Sequence, residues 1–203
     1  MELLTSFSQL PDARKGQGKQ YGMDAILLGD MSLFLLKEGL RNELNNHRSN
    51  GHFSKYYRQL FKVKLPHQDT VKDVSCVLPN HELEQVRMDL MSRLFEQKWL
   101  RDYRLLNKYY LVAVDATGVM SFDERHCEHC LRRKSKSGKI TYFHYVLEAK
   151  LVTSDGHILS LASEWIENPV GDFDRQDCER KAFERLAQKL KKQYPRLPVW
   201  TCQ

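Results

Sequence analysis

The stretch YYLVAVDATGV, residues 109–119, is the strongest indication of fold in this sequence. Its apolar and β-branched residues from Tyr109 to Val114 are typical of a buried strand. A single carboxylate, Asp115, follows at the predicted end of this strand. An Asp before small residues commonly caps a turn, and a carboxylate on a rigid sheet can also bind a metal ion. Asp115 is therefore the first candidate site residue, with turn capping as the structural alternative.

Beyond this stretch the pattern predicts a hairpin, a helix and another strand. Apolar and polar residues alternate up to a Ser-Asp-Gly turn, and a second apolar run follows it, which indicates a hairpin over residues 141–166. Apolar residues at helical spacing from 182 to 190 predict a helix. Because a helix can cross over between parallel strands, LPV at 197–199 is predicted to begin a strand parallel to the first. Turn and N-cap oxygens for the helix are predicted to come from Asp172, Asp174 and Asp177.

The residues ahead of residue 109 predict a helical region. After an irregular basic arm at residues 10–23, helices are predicted over residues 21–40, 54–65 and 67–78 and from Asn80 onward. The Asn-rich stretch at residues 42–52 is predicted to be a loop. The sequence therefore predicts an α/β chain, α+β overall, with a helical region at residues 1–105 and a mixed sheet at residues 106–203.

Composition and charge limit the classes of protein to consider. The chain has 203 residues, of which 41% are apolar and 29% are charged, as in folded proteins. The net charge of +6 favours a polyanionic partner. The longest apolar stretch, residues 25–36, is broken by Gly29 and Asp30, so no membrane span or membrane partner is expected. Glu2 replaces the positive charge of a signal peptide, and five scattered cysteines suit a reducing compartment, so a cytoplasmic protein is expected.

Two adjacent segments carry further candidate residues. The stretch RHCEHC, residues 125–130, holds four side chains that can bind zinc, namely His126, Cys127, His129 and Cys130. C-x₂-C is half of a common zinc pattern, and no second pair of this kind follows, so zinc and an exposed polar loop both stay open. The next segment, LRRKSKSGK, contains five basic residues without an apolar interruption, namely Arg132, Arg133, Lys134, Lys136 and Lys139. Such a run is often merely solvated, and it also suits phosphate contacts.

These pieces together resemble the insertion-sequence transposases of the DDE type, whose catalytic domain has an RNase H-like fold. The matching residues are VAVDATGV at 112–119, the hairpin at 142–169 and the helix at 177–195. The pieces LPDARKGQGKQYGM at 10–23 and LPHQDTVKDV at 65–74 resemble the helical DNA-end-binding region of such enzymes. The resemblance implies DNA transposition, with Asp115 as a catalytic residue.

The resemblance also implies a metal requirement. In the family, carboxylates hold two Mg²⁺ ions about 4 Å apart, which activate the attacking oxygen and stabilise the leaving one. The family has a second Asp just after the strand that LPV would begin, and a Glu on a later helix. Neither has a counterpart before Gln203. The resemblance therefore predicts a truncated RNase H-like domain with an incomplete sheet, in which Asp115 is the one metal ligand and which is inactive by itself.

Several functions stay open on these grounds. Besides a transposase, the chain could be a non-catalytic DNA-binding fragment that binds transposon ends and inhibits a full-length transposase through mixed oligomers; a homo-oligomer is also possible. In either case the residues predicted to contact DNA are Arg14, Lys15, Lys19, Arg132, Arg133, Lys134, Lys136 and Lys139. Two more readings of the sequence are a zinc-dependent interaction protein built around Cys127 and Cys130 and a remnant without function.

Overall fold

The computed structural model describes residues 2–15, 19–171 and 175–202. The helices within these residues are α1 (Glu2–Ser8), α2 (Met23–Leu35), α3 (Arg41–Ser49), α4 (Gly51–Phe61), α5 (Gln68–Ser75), α6 (Asn80–Glu96), a 3₁₀ turn (Arg101–Tyr103) and α7 (Glu179–Gln193). The strands are β1 (Tyr110–Phe122), β2 (Leu131–Lys134), β3 (Ile140–Val152), β4 (Ile158–Ile166) and β5 (Val199–Cys202). The chain is thus a mixed α/β protein, as the sequence predicts.

The chain divides into two compact units, a first unit (Met1–Val86) and a second unit (Arg87–Gln203). This division falls inside α6, earlier than the predicted boundary between residues 105 and 106. Its physical reason is burial, because Met91 and Leu100 belong to the hydrophobic core of the sheet. Among the described residues, no helix combines the length and the apolar character needed to cross a membrane.

The first unit is helical and has a small apolar core. Leu28, Leu44, Tyr57 and Leu65 are buried together in it. The hydroxyl groups of Tyr57 and Ser32 lie 3.0 Å apart and share a hydrogen bond inside this core. Burial raises the pKa of the Tyr57 hydroxyl above its ordinary value, so the group stays neutral.

The stretch at residues 42–52 is helical, and its prediction as a loop is wrong. α3 covers most of it, and the side chain of Leu44 is 0% exposed. The Glu43 carboxylate accepts a hydrogen bond from the backbone N–H of Leu40, 2.9 Å away, at the start of α3. Asn50 accepts from the backbone N–H groups of His52 and Phe53 and caps α4. The polar residues of this stretch therefore cap helices, because capping oxygens satisfy the unpaired N–H groups at helix starts.

The second unit contains one five-stranded sheet. β3 pairs antiparallel with β1 along one edge, and with β2 and then β4 along the other edge. β5 pairs parallel with β1, beginning with Val199 opposite Tyr110. The predicted hairpin and the predicted parallel strand are therefore both confirmed.

Helix α7 connects β4 to β5 and covers one face of the sheet. Ala182 and Leu186 are buried, and they share a core cluster with Val112 and Val114 of β1 and Ala149 of β3. The exposed fraction of Leu186 is 1%. The helical stripe in the sequence is thus the surface that packs on the sheet, and the helix prediction is confirmed.

The predicted role of Asp177 as an N-cap is wrong, because Cys178 is the N-cap residue of α7. The Asp177 carboxylate instead accepts hydrogen bonds from Arg185 at 2.6 Å and from the backbone N–H of Glu167 at 3.2 Å. Burial acts to raise the pKa of Asp177, but the hydrogen bonds, first of all from Arg185, outweigh burial and lower the pKa. Asp172, Asp174 and residues 16–18 of the predicted basic arm lie outside the described residues.

Candidate functional site

Asp115 lies within β1, and its predicted position at the strand end is wrong. The strand continues for seven residues beyond it to Phe122, and these residues pair with β3 apart from one bulge near Gly118. The side chain of Asp115 is exposed, and its Oδ1 accepts from the backbone N–H of Ala116 at 2.9 Å. Ala-Thr-Gly has turn character in isolation, but pairing with a long neighbouring strand overrides such local preferences.

One face of the sheet carries several of the candidate residues. Asp115 is directly opposite Glu148 of β3. Since side chains alternate between the two faces of a strand, Tyr142, His144 and Glu148 share a face. Their cross-strand partners therefore lie there too, and these include Arg132 opposite Tyr142 and Lys134 opposite Ile140. We call this the Asp115 face, and it is the face opposite α7.

Glu148 is the carboxylate nearest in register to Asp115. Its Oε2 lies 3.0 Å from the Nζ of Lys150. Burial acts to raise the pKa of Glu148, but hydrogen bonds with Ser160 and Lys150 outweigh burial and lower the pKa. Glu148 is thus held ionised beside Asp115, with Lys150 offsetting the repulsion between the two carboxylates.

The two carboxylates do not by themselves fit a two-magnesium site. Such a site takes several carboxylate ligands that bridge two ions. In the described residues, Asp115 belongs to no group of three or more clustered ligand side chains. Glu148 is also already engaged by Lys150. The Asp115 face therefore offers part of a hard-cation site at most.

The predicted basic run lies on β2 and the turn after it. The side chains of Arg132, Arg133 and Lys134 are exposed on this edge strand. The backbone of Arg132 exchanges two hydrogen bonds with the side-chain amide of Gln176, at 2.6 Å and 3.0 Å, which occupies the outer edge of β2. This pairing holds the strand while leaving its basic side chains exposed.

The remaining residues of the run differ in their surroundings. The guanidinium of Arg133 lies 5.8 Å from the centre of the Phe143 ring. Lys136 is exposed in the turn, and Lys139 pairs with Asp123 across 2.8 Å. Only Arg132 and Lys134 of this run therefore combine exposure with a place on the Asp115 face.

The three predicted residues of the N-terminal arm lie in the first unit. The Arg14 guanidinium makes two hydrogen bonds of 2.8 Å to the Asp12 carboxylate and one of 2.7 Å to the backbone carbonyl of Tyr21. Lys19 also lies 3.1 Å from Asp12, and Lys15 is exposed. Arg14 thus holds the arm to the start of α2, which reduces the charge it offers to a partner.

A basic cleft in the first unit was not predicted as a site, although Lys55 and Arg58 flank two tyrosines in a pattern that can suit nucleic acid as well as core packing. It has a volume of about 720 Å³ and lies along α4 and the segment after it. Its lining contains no acidic residue and five basic ones, Arg48, Lys55, Arg58, Lys62 and Lys64. These residues are spread over 17 positions, so no charge run marks them in the sequence; helical spacing of Lys55, Arg58 and Lys62 was the available signal.

Two cysteines and one histidine form a compact group on the Asp115 face. Cys127 and Cys130 come from the loop between β1 and β2, and His144 is a buried residue of β3. The Sγ atoms lie 3.7 Å apart, and the Nε2 of His144 lies 3.4 Å from Cys127 Sγ and 3.2 Å from Cys130 Sγ. It is the one such group of potential metal ligands in the described part of the chain.

The other two histidines of RHCEHC lie outside this group. His126 is exposed and stacks on the Phe122 ring, with 4.5 Å between ring centres. The Nδ1 of His129 lies 2.9 Å from the backbone carbonyl of Asn168. The sequence motif therefore contains two of the three converging side chains and leaves out His144, because its pairing with Met120 of β1 is what brings it under the loop.

Comparison of the chain with models of protein families, with curated proteins and with solved structures found no match. The resemblance to DDE transposases therefore stays a prediction that depends on the residues quoted for it.

Proposed function

We propose that the chain is a DNA-binding protein of the DDE transposase class, whose second unit is an RNase H-like domain. The observation that carries this proposal is the Asp115 face, on which an exposed strand carboxylate and two exposed basic side chains lie on the same side of one sheet. This combination suits a nucleic acid whose phosphates the basic residues contact.

The order of elements supports the RNase H-like assignment. A first strand with a carboxylate, a hairpin, a crossover helix and a strand parallel to the first follow one another, as the resemblance predicts. Asp115 is on the strand that lies between the hairpin and the parallel strand. At Asp115 itself β1 pairs with β3, which holds the carboxylate on a paired strand as a metal site on a sheet needs.

The spacing of charges supports a DNA partner. Tyr142 and Glu148, which mark the positions of Arg132 and Asp115, are six residues apart on β3. At about 3.4 Å per residue this corresponds to about 20 Å along the strand. A duplex presents about one charge per 1.7 Å of its axis, so one bound duplex can contact the basic side chains and still reach Asp115. Phosphate contacts of this kind position the protein without reading sequence.

The basic cleft of the first unit offers a second, independent phosphate-binding surface. Its five basic side chains have no acidic neighbour in the cleft lining, so the local potential is positive. The predicted DNA-end-binding region falls in the same unit. Within this unit α4 is a better candidate for DNA contact than the arm, because Arg14 and Lys19 of the arm are paired with Asp12.

A non-catalytic role is favoured over cleavage by this chain. The described residues provide Asp115 and Glu148 but no third clustered carboxylate. We therefore propose that the chain binds DNA and inhibits a catalytically complete transposase, either by occupying the transposon ends or in a mixed oligomer. Asp115 would serve as an Mg²⁺ ligand only in a form that has the full set of carboxylates.

The test is the salt dependence of binding to a short duplex of mixed sequence. The double variant Arg132→Gln/Lys134→Gln removes two charges from the Asp115 face. The matched control, Lys181→Gln/Lys192→Gln, removes two exposed charges from α7 on the opposite face. The slope of log K against log [salt] is negative, and if both basic residues contact phosphates its magnitude decreases by about 1.8 in the first variant and stays unchanged in the control. Equal slopes in both variants, or no binding by the unaltered chain, would refute the proposal.

Catalysis is tested separately on supercoiled plasmid with Mg²⁺ or Mn²⁺. We expect no nicking by the 203-residue chain. Nicking that Asp115→Asn abolishes would show that the chain is a complete enzyme and would contradict the inhibitory role. Because Asp115 is exposed and, among the described residues, accepts a hydrogen bond from the neighbouring backbone N–H alone, this variant should fold normally.

A further inference from the structure

We propose that Cys127, Cys130 and His144 bind one Zn²⁺ ion, which fastens the loop between β1 and β2 to the central strand β3. The inference is independent of the DNA-binding role, because it depends on the geometry of this group alone.

The distances within the group are those of one face of a zinc tetrahedron. With Zn–S bonds of about 2.3 Å and Zn–N bonds of about 2.0–2.1 Å, tetrahedral angles place two sulfurs about 3.8 Å apart and a sulfur and a nitrogen about 3.6 Å apart. The observed separations are 3.7 Å between the sulfurs and 3.4 Å and 3.2 Å from the sulfurs to Nε2. All three edges therefore agree with tetrahedral coordination to within about 0.4 Å.

Hydrogen bonding alone does not account for this convergence. A neutral imidazole nitrogen offers one lone pair and accepts one hydrogen bond. Two thiol groups nevertheless approach the same Nε2, from loop positions three residues apart. A cation bound by all three atoms satisfies them together, since thiolates and neutral imidazole are the ligands that Zn²⁺ prefers.

The three side chains are held in place by their surroundings. His144 is 7% exposed on β3, between β1 and β2, and its ring meets the edge of Phe122 at 6.3 Å. The backbone N–H of Cys130 donates to the carbonyl of Cys127 at 3.4 Å, which tightens the loop between the two thiols. Two ligands in a short turn and one on a rigid strand are thus fixed relative to one another, and all three are side chains that Zn²⁺ binds.

Asn168 fixes the same loop from a second side. It is 2% exposed, and its side-chain amide donates to the carbonyl of Cys130 at 2.8 Å. Its backbone N–H donates to the carbonyl of His129 at 3.1 Å, and its Oδ1 accepts from the N–H of Asp177 at 3.2 Å. A buried amide with these partners orients the carbonyl beside a metal ligand, as outer-shell groups of metal sites do.

The group lies directly before the start of β2. β2 begins at Leu131, immediately after Cys130. A zinc ion bound here therefore fixes the start of the strand that carries Arg132 and Lys134. The three side chains leave one tetrahedral position for water or a further side chain.

The test measures metal content in the full chain, purified under reducing conditions without chelator. We expect about one zinc per chain by elemental analysis, and a loss of most of it in Cys127→Ser, Cys130→Ser and His144→Gln. The matched controls are Cys76→Ser and Cys178→Ser, which alter exposed cysteines outside the group and should retain the zinc.

A cobalt measurement keeps the proposal refutable if the variants of buried residues fail to fold. Unaltered chain stripped of zinc and titrated with Co²⁺ should develop thiolate-to-cobalt charge-transfer absorption that saturates at one equivalent, and added Zn²⁺ should abolish it. Zinc content near zero together with no such absorption would overturn the proposal. A disulfide between Cys127 and Cys130 would overturn it too. Mass spectrometry of the chain purified under reducing conditions would detect this bond as a mass lower by two hydrogen atoms.

Discussion

Replacing Leu186 by Ala tests the packing of α7 on the sheet, which forms part of the hydrophobic core of the second unit. Leu186 is 1% exposed and belongs to the core cluster that contains Val112 and Val114. The substitution removes three carbon atoms from this contact, and at about 0.8 kcal/mol per buried CH₂ the lost transfer free energy is about 2.4 kcal/mol.

The remaining cavity adds to this cost. Leu→Ala substitutions in protein cores cost about 2.7–5.0 kcal/mol in total, depending on how far the site relaxes. Leu186 already borders a cleft of about 270 Å³ between α7 and β1. Water and neighbouring side chains can enter the space from this cleft, so we expect a value near the lower limit, about 3 kcal/mol.

Urea unfolding followed by tryptophan emission measures this loss in the second unit alone, because all three tryptophans, at positions 99, 165 and 200, belong to it. With a slope of about 1.5 kcal/mol per molar urea, a loss of 3 kcal/mol lowers the midpoint by about 2 M. The exposed Gln188 of the same helix provides the control, since Gln188→Ala should change stability by less than about 0.5 kcal/mol. If Leu186→Ala shifts the midpoint no more than the control does, the packing of α7 against β1 is refuted.

Two further predictions concern the loop after β4. Asn168→Ala removes the partners of the Cys130 carbonyl and the Asp177 N–H, and it should cost about 2–3 kcal/mol in the same urea assay because both groups become unsatisfied; an unchanged midpoint would contradict this. The pKa of Asp177 is lowered from its ordinary value of 3.8. The ionised carboxylate therefore stabilises the fold at pH values above 3.8, and this contribution is lost as the pH falls through the lowered pKa. Asp177→Asn should therefore lose less stability than the unaltered chain on acidification below about pH 4, and since Arg185 is partly exposed the difference should be about 1 kcal/mol; parallel stability curves would exclude this role.

The group of Cys127, Cys130 and His144 could be predicted only in part from a local sequence motif. Cys127 and Cys130 are visible as C-x₂-C, while His144 stands 14 positions after Cys130 with no motif around it. Its alternation on β3 and the pairing of Met120 with His144 decide that it lies under the loop. The basic cleft is a similar case, since its charges meet through the packing of helices.

Patterns in the sequence were sufficient to predict three elements of the second unit and their order. The hairpin, the helix α7 and the parallel strand follow from patterns within each segment, because the spacing of apolar residues records which side of a strand or helix is buried. The length of β1, the helices at residues 42–52 and the position of Asp115, Glu148 and the basic strand on one face could not be predicted from these patterns. The strand features depend on the register between strands, which arises from contacts between residues distant in sequence. The helices at residues 42–52 have local caps, but α3 is held by the burial of Leu44 against Leu28 and Leu65, and the spacing within one segment carries no record of that contact.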